Sequence, residues 1–282
     1  KMLLYKASPQ FNPSNMYDNK YWNEAYTAAK EAYDFCIAQG IKLTANYADN
    51  WLVDGNSEVV FPIIYSNPDK TANWENTIRP SSLSRSNAGN TPTWDMVKAF
   101  PMLDGKRFDD PAGKYYAGAE SDFLQKFWQN RDPRFEDCIL YNADLYPVSG
   151  TASGYRQYTS VGIAVREDSY GINPNVGSTA TQNDAISGMY VRKGSDLSLS
   201  QDLVSTYDPF MRLAEVMFIY AEAANETDHQ DVAVDMLKQI RKRAGIEAGE
   251  NGLYGLKVAN REDIRQAILD ERNVELCFEG HR

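Results

Sequence analysis

A mainly α-helical fold is predicted for this chain: antiparallel helical hairpins forming an α/α superhelix, with long loops and a few short β-strands. Three observations predict it, namely apolar residues at helical steps, start and stop signals at nearly every helix end, and small residues where helices must meet. They are densest over 207–282. Asp208-Pro209 opens a first helix there, with the proline in the first turn, where its missing N–H costs little. Leu213, Val216, Met217, Tyr220 and Ala224 then recur on one face. Thr227 and Gln230 have capping-box spacing for a second helix, with Ala233, Met236, Leu237, Ile240 and Ala244 as its stripe. Lys238, Arg241, Lys242 and Arg243 suit the negative end of its dipole, and Gly245 stops it. Asn260 caps a third helix, whose stripe is Ile264, Ala267 or Ile268, Val274 and Phe278, with Gly280 at its end. The first two helices, joined across 225–228, make an antiparallel hairpin of the tetratricopeptide-like kind.

The upstream chain supplies more of the same. Residues 1–12 read as the end of a helix stopped at Ser8-Pro9, because a residue before proline leaves helical geometry. Residues 20–39 form the next helix, with Trp22, Ala25, Tyr26, Ala29, Tyr33 and Cys36 as its stripe and Gly40 as its stop. Ala25, Ala28, Ala29 and Ala32 leave room for a neighbouring helix. The run 56–65 is β-branched and apolar. Residues 66–90, dominated by Ser, Asn, Pro and Gly, are a long loop of the kind that is usually functional or disordered. Residues 150–194, rich in Gly, Ser, Thr and Asn, are expected to be a second loop-rich stretch. The chain is expected to be one domain in three parts: helical repeats over 1–55, loops with short strands over 56–206, and the helical end over 207–282.

Charge and cysteine content exclude several function classes. With 29 basic and 39 acidic residues the net charge is −10, which opposes binding to a phosphate backbone. Cys36, Cys138 and Cys277 are odd in number and widely spaced, so neither a disulfide framework nor a metal cluster is expected. Cys36 and Cys277 fall in apolar patterns and read as buried free thiols. No run approaches the ~18 apolar residues of a membrane helix. The start has no signal-peptide pattern. Lys1 falls inside a helical pattern and Arg282 just past one, so the chain is expected to be a piece of a longer protein.

The run RLAEVMFIYAEAANE from Arg212, then MLKQIRKRAGI from Met236, then REDIRQAILDERNVELCFEGHR from Arg261, closely resembles the C-terminal signature of the SusD/RagB family. Upstream, KASPQFN from Lys6, NSEVVF from Asn56, TPTWDMVKAFPMLDG from Thr91, RDPRF from Arg131 and GMYVRK from Gly188 resemble further motifs of that family, in its order. The resemblance implies a helix followed by an Asp-Gly turn over 91–105, a strand entry over 131–142 and a short strand over 188–193. The resemblance implies a surface glycan-binding lipoprotein of Gram-negative bacteria. Such a protein captures an oligosaccharide without cleaving it and works with a SusC-like TonB-dependent outer-membrane transporter. The lipidated cysteine that anchors family members would lie before Lys1.

The residues themselves give little support to catalysis. Glu271, Glu275 and Glu279 fall at four-residue steps on one helix face, which suggests the carboxylate pair of a glycoside hydrolase (Glu271/Glu275). Adjacent carboxylates on one rigid face do not flank a glycosidic bond from opposite sides, so a structural ion network is the favoured reading. Arg272, Arg282 and the Arg241–Arg243 cluster are its expected partners. His229, expected to be exposed, and His281 have neither a metal-ligand neighbour nor a nucleophile motif. Asp104-Gly105, Asp109 and Asp110 could hold calcium but lack EF-hand spacing; a solvated turn is favoured. No cofactor is expected. Trp22 and Trp128 read as core. Trp74 stands in a polar loop beside Asn73, Asn76 and Arg79, where a flat ring can stack on a sugar while the polar groups bond its hydroxyls. Trp74, Asn76 and Arg79, then Trp51 and Tyr155, are the candidate glycan contacts. A helical-repeat scaffold that binds only protein is the alternative.

Overall fold

The computed structural model describes residues 1–13, 19–66, 69–80, 90–159, 187–199 and 207–281. Its helices are α1 (Met2–Ala7), α2 (Asn19–Ala38), α3 (Asp49–Leu52), α4 (Trp74–Ile78), α5 (Trp94–Ala99), α6 (Glu120–Leu124), α7 (Arg134–Cys138), α8 (Leu213–Glu226), α9 (Gln230–Ala244) and α10 (Arg261–Glu275). Its strands are β1 (Val59–Ile63), β2 (Ile139–Leu140), β3 (Asp144–Leu145), β4 (Arg156–Gln157), β5 (Tyr190–Val191) and β6 (Asp208–Arg212). The mainly helical architecture is the predicted one.

Helix α8 is the centre of the molecule. Its sequence is apolar all round rather than on one stripe, the pattern of a buried helix, and α2, α9 and α10 surround it. Ala25 and Ala29 of α2 bury against it, whereas Ala32 is exposed. Helix α9 ends as expected at Gly245, which adopts φ 83°, a left-handed conformation that costs glycine nothing. Helix α10 begins with the Asn260 side chain accepting from the Asp263 backbone N–H at 3.0 Å. Asn260→Ala is expected to cost about 1 kcal/mol, read as a shift in urea midpoint at unchanged slope.

Several expectations need correction. Asp208–Arg212 is strand β6, not the first turn of a helix. It pairs antiparallel with β1, Val59 opposite Arg212 and Ile63 opposite Asp208, and α8 starts only at Leu213. A proline is tolerated at a strand edge as readily as in a first helical turn, so its position did not discriminate. The Thr227/Gln230 capping box does not form: the Thr227 hydroxyl donates back to the Ala223 carbonyl at 2.8 Å, and no side chain caps α9. Phe278 lies in the turn beyond α10, at φ 62°. The 66–90 stretch is not wholly loop, since it holds a Ser66–Lys70 bridge and α4. Trp128 sits 38% exposed in the turn after α6, against Phe127 and Tyr141, rather than in the core. His229 is half-buried and stacks on Tyr26 at 4.2 Å. Residues 160–186 of the expected loop-rich stretch lie outside the described residues, as does Arg282.

Short strands tie the loop-rich part together: β2 pairs with β5, placing the predicted 188–193 strand beside Ile139 and Leu140, and β3 pairs with β4. Around them lies a second core of Tyr47, Val97, Phe100, Phe135, Ile139 and Val274. Val274 carries α10 into this core, while Ile264 and Ile268 join the first.

Candidate functional site

A cavity of about 420 Å³ opens between α3, α4, the turn after β5, the start of β6 and the turn after α10. Trp51 and Trp74 both reach it, and Gly194 explains how. At φ 72° Gly194 turns the chain so tightly that a Cβ there would lie 3.2 Å from Trp74 Nε1 and 3.3 Å from Trp51 Cδ1. Two indoles from distant segments thus close on one glycine. Trp74 is further pinned by its ring N–H, which donates to the Lys193 carbonyl at 2.8 Å. Its polar edge is spent on the fold, leaving an apolar ring at the wall. Trp51 packs edge-on against Tyr47, and the Lys193 ammonium sits 4.5 Å from its ring centre, a cation–π contact that fixes the indole from below. Asn73, Asn90 and Thr77 supply amide and hydroxyl groups, and Asp208 and Glu279 supply carboxylates. Apolar rings beside amide, hydroxyl and carboxylate groups, at this volume, are the form of a small-ligand site.

The two carboxylates differ in state. Burial would raise the Glu279 carboxyl, but Arg212 at 2.8 Å and Lys193 at 2.6 Å outweigh it and hold it below the usual range. Asp208 is raised, first by partial burial and then by the nearby Glu279 charge. Glu279 is therefore locked as an ion-paired carboxylate, unable to deliver a proton.

Behind the cavity lies a buried ion network. Five carboxylates (Glu58, Asp132, Glu271, Glu275 and Glu279) meet five cations (Arg134, Lys193, Arg212, Arg241 and Arg243). Glu275, 0% exposed, is its hub: it pairs with Arg212 and Arg134 at 2.6 Å each and with Arg243. Burial alone would raise its carboxyl, yet Arg243, Arg212 and Arg134 hold it well below the usual range. Glu271, also buried, pairs with Arg134 at 2.7 Å and Arg241 at 2.6 Å. Neither carboxylate of the Glu271/Glu275 pair can meet a glycan. The structural reading of this row is correct, but its partners differ: Arg134 and Arg212 take the place expected for Arg272.

Of the five candidate contacts, Trp51 and Trp74 line the cavity. Arg79 does not: 1% exposed, it pairs with Glu75 and donates to the Asp196 and Leu199 carbonyls at 2.7 and 3.2 Å. A guanidinium in a polar sequence proves to be a strut holding α4 to the 195–199 turn. Asn76 does not line the cavity either; its amide donates to Asn73 Oδ1, just before α4. Tyr155 is buried beside Tyr146 and Tyr190. Sequence reasoning did not bring Asn90, Lys193 or Asp208 to this cavity, and left Asn73 off the list of candidates. Asn73 was legible as the residue before Trp74, whereas Lys193 and Asp208 arrive by tertiary packing alone.

The acidic loop is built as a turn. Asp104 accepts from the Lys106 and Lys114 backbone N–H groups at 3.1 and 2.7 Å, Asp110 from Ala112, and Asp109 pairs with Arg107. Among the described residues no His, Cys, Asp and Glu group has metal-site geometry, and no helix is long and apolar enough to cross a membrane.

Comparison with known proteins agrees with this architecture. The family model described as the SusD family matches residues 57–282. SusD-like protein P2 of Formosa agariphila is 36% identical over 76 residues, covering 26% of this chain and 15% of its own. A SusD-like protein of Bacteroides fragilis superposes with TM-score 0.65 at 21% identity, covering 96% of this chain and 51% of its own. A second B. fragilis protein, described as a SusD-like carbohydrate-binding protein, gives 0.67 at 19%, covering 96% and 48%. The chain thus spans about half the length of these solved structures.

Proposed function

Since the chain belongs to the SusD family, we propose that it captures an oligosaccharide in the Trp51–Trp74 cavity and does not cleave it. The carrying observation is the convergence of two half-buried indoles, that of Trp74 pinned by its ring N–H on the Lys193 carbonyl, on one cavity that also offers Asn73, Asn90 and Asp208. Flat apolar rings take the C–H face of a sugar, and the amides and Asp208 bond its hydroxyls. A similar carbohydrate-binding structure supports the ligand class. Non-catalysis is supported by the locked state of Glu279 and the burial of Glu271 and Glu275. In this proposal the protein is held at the outer-membrane surface by a lipid anchor outside these 282 residues. It passes its glycan to a SusC-like TonB-dependent transporter.

The test is a binding screen against neutral and charged polysaccharides, with product analysis alongside. Trp74→Ala is expected to weaken the glycan that binds by about 2 kcal/mol, roughly 30-fold. Trp74→Phe keeps a stacking face while losing the bond to the Lys193 carbonyl, so it retains most of the affinity. No binding across the panel, or release of reducing sugar, would overturn the reading. Binding of a peptide that ignores both tryptophans would favour the protein-interaction scaffold.

A further inference from the structure

Cys138, the last residue of α7, and Cys277, two residues past α10, lie 139 positions apart in sequence, yet their sulfurs are 3.7 Å apart. We propose that these two thiols form a native disulfide site, closed by a small disulfide oxidant such as oxidised glutathione.

The geometry gives the two sulfurs different parts. Cys277, 5% exposed, lines a groove of about 600 Å³ between α1 and α10, whose walls include Leu4, Tyr5 and Phe11. Cys138 is 0% exposed and lies behind it, against Tyr47. Only Cys277 can be approached from outside. The Lys193 ammonium, 4.0 Å from its sulfur, favours the thiolate. Burial opposes ionisation, but the Cys138 thiol and Lys193 together lower Cys277 below the usual thiol range, while burial and its neighbour Cys277 push Cys138 well above it. Cys277 is the attacking group and Cys138 the resolving one. The Cys277 thiolate attacks one sulfur of the oxidant, forming a mixed disulfide and expelling a thiolate that takes up the Cys277 proton. Cys138 then attacks the Cys277 sulfur, its proton passing to the second departing thiolate. Two protein thiols are oxidised to one disulfide, and one oxidant disulfide is reduced to two thiols. The sulfurs need only close from 3.7 Å to about 2.05 Å.

The bond would act on the cavity described above. The Cys277 carbonyl accepts from Lys193 Nζ at 2.7 Å, and the next two residues, Phe278 and Glu279, line the cavity. Joining Cys277 to the end of α7 clamps that wall to the second core.

The purified chain is treated with oxidised glutathione, and the remaining thiols are alkylated after denaturation. Peptide mapping without reductant is expected to show one Cys138–Cys277 link and alkylated Cys36, reversible by a dithiol. The Cys36→Ser variant keeps the link. In Cys138→Ser the resolving step is lost and Cys277 retains one glutathione. The melting temperature rises by roughly 5 °C on oxidation of the parent and not of Cys138→Ser. Three alkylated cysteines after oxidation, or a link involving Cys36, would overturn the proposal.

Discussion

Replacing Glu275 by Gln is expected to lower folding stability by about 3–5 kcal/mol, because removing one partner of a buried ion pair strands the others. Arg212, Arg134 and Arg243 all bond this carboxylate, and the amide keeps its shape while cancelling its charge. The five-to-five balance behind the cavity becomes a buried excess of one positive charge. Urea denaturation should show the midpoint falling at constant slope. The effect also has a pH signature. The Glu275 carboxyl is depressed well below its ordinary 4.5 in the folded state. Its contribution is therefore complete above about pH 4.5 and lost as pH falls through the folded value. The gap between parent and variant should be constant near neutrality and narrow in acid; a gap unchanged down to pH 3 would show that Glu275 is not a buried anion.

Gly105→Ala is the second large effect. Gly105 has φ 78°, and a Cβ there would sit 2.0 Å from the Tyr254 carbonyl oxygen. Gly255 makes the reciprocal approach, its own Cβ position lying 2.4 Å from the Asp104 carbonyl oxygen. Two backbones touch here, and Arg241 seals the contact by donating to the Gly105 and Tyr254 carbonyls at 2.9 and 2.8 Å. Left-handed backbone costs a side chain about 1–3 kcal/mol, and overpacking adds about 1–3 kcal/mol more. Gly40 has the same φ with nothing within 4 Å, so Gly40→Ala carries only the first penalty. The difference between the two variants in thermal melts isolates the steric part. Equal losses would mean that the two segments part easily.

The elements legible in the sequence are those whose cause is local. Helices α9 and α10 follow from their stripes, and their ends follow from Gly245 and Asn260. The Asp-Gly turn at 104–105 was legible as a turn. Its partner at Gly255 was not, because nothing near Gly105 says which backbone will approach it. Strand β6 was misread because its cause is remote: the segment is extended by pairing with β1, some 150 residues upstream. The same limit governs the site. Trp74 stood out as an indole in a polar run, yet Arg79 and Asn76 beside it proved structural, and Trp51 and Lys193 joined it only through the fold. Arg134 and Arg212 escaped notice as partners of Glu275 for the same reason, lying 141 and 63 positions away.

The pairing of Glu58 with Arg212, 154 residues apart at 2.7 Å, sets an order on synthesis. Leaving the ribosome, residues 1–211 carry Glu58 without Arg212, Arg243 or Glu275, the charges that surround it when buried. Burying that carboxylate early would leave an uncompensated anion in the interior. The N-terminal three-quarters of the chain therefore has reason to stay open until its last helices emerge. Completing the buried network requires the C-terminal segment, whose contact with Glu58 spans more than half of the chain.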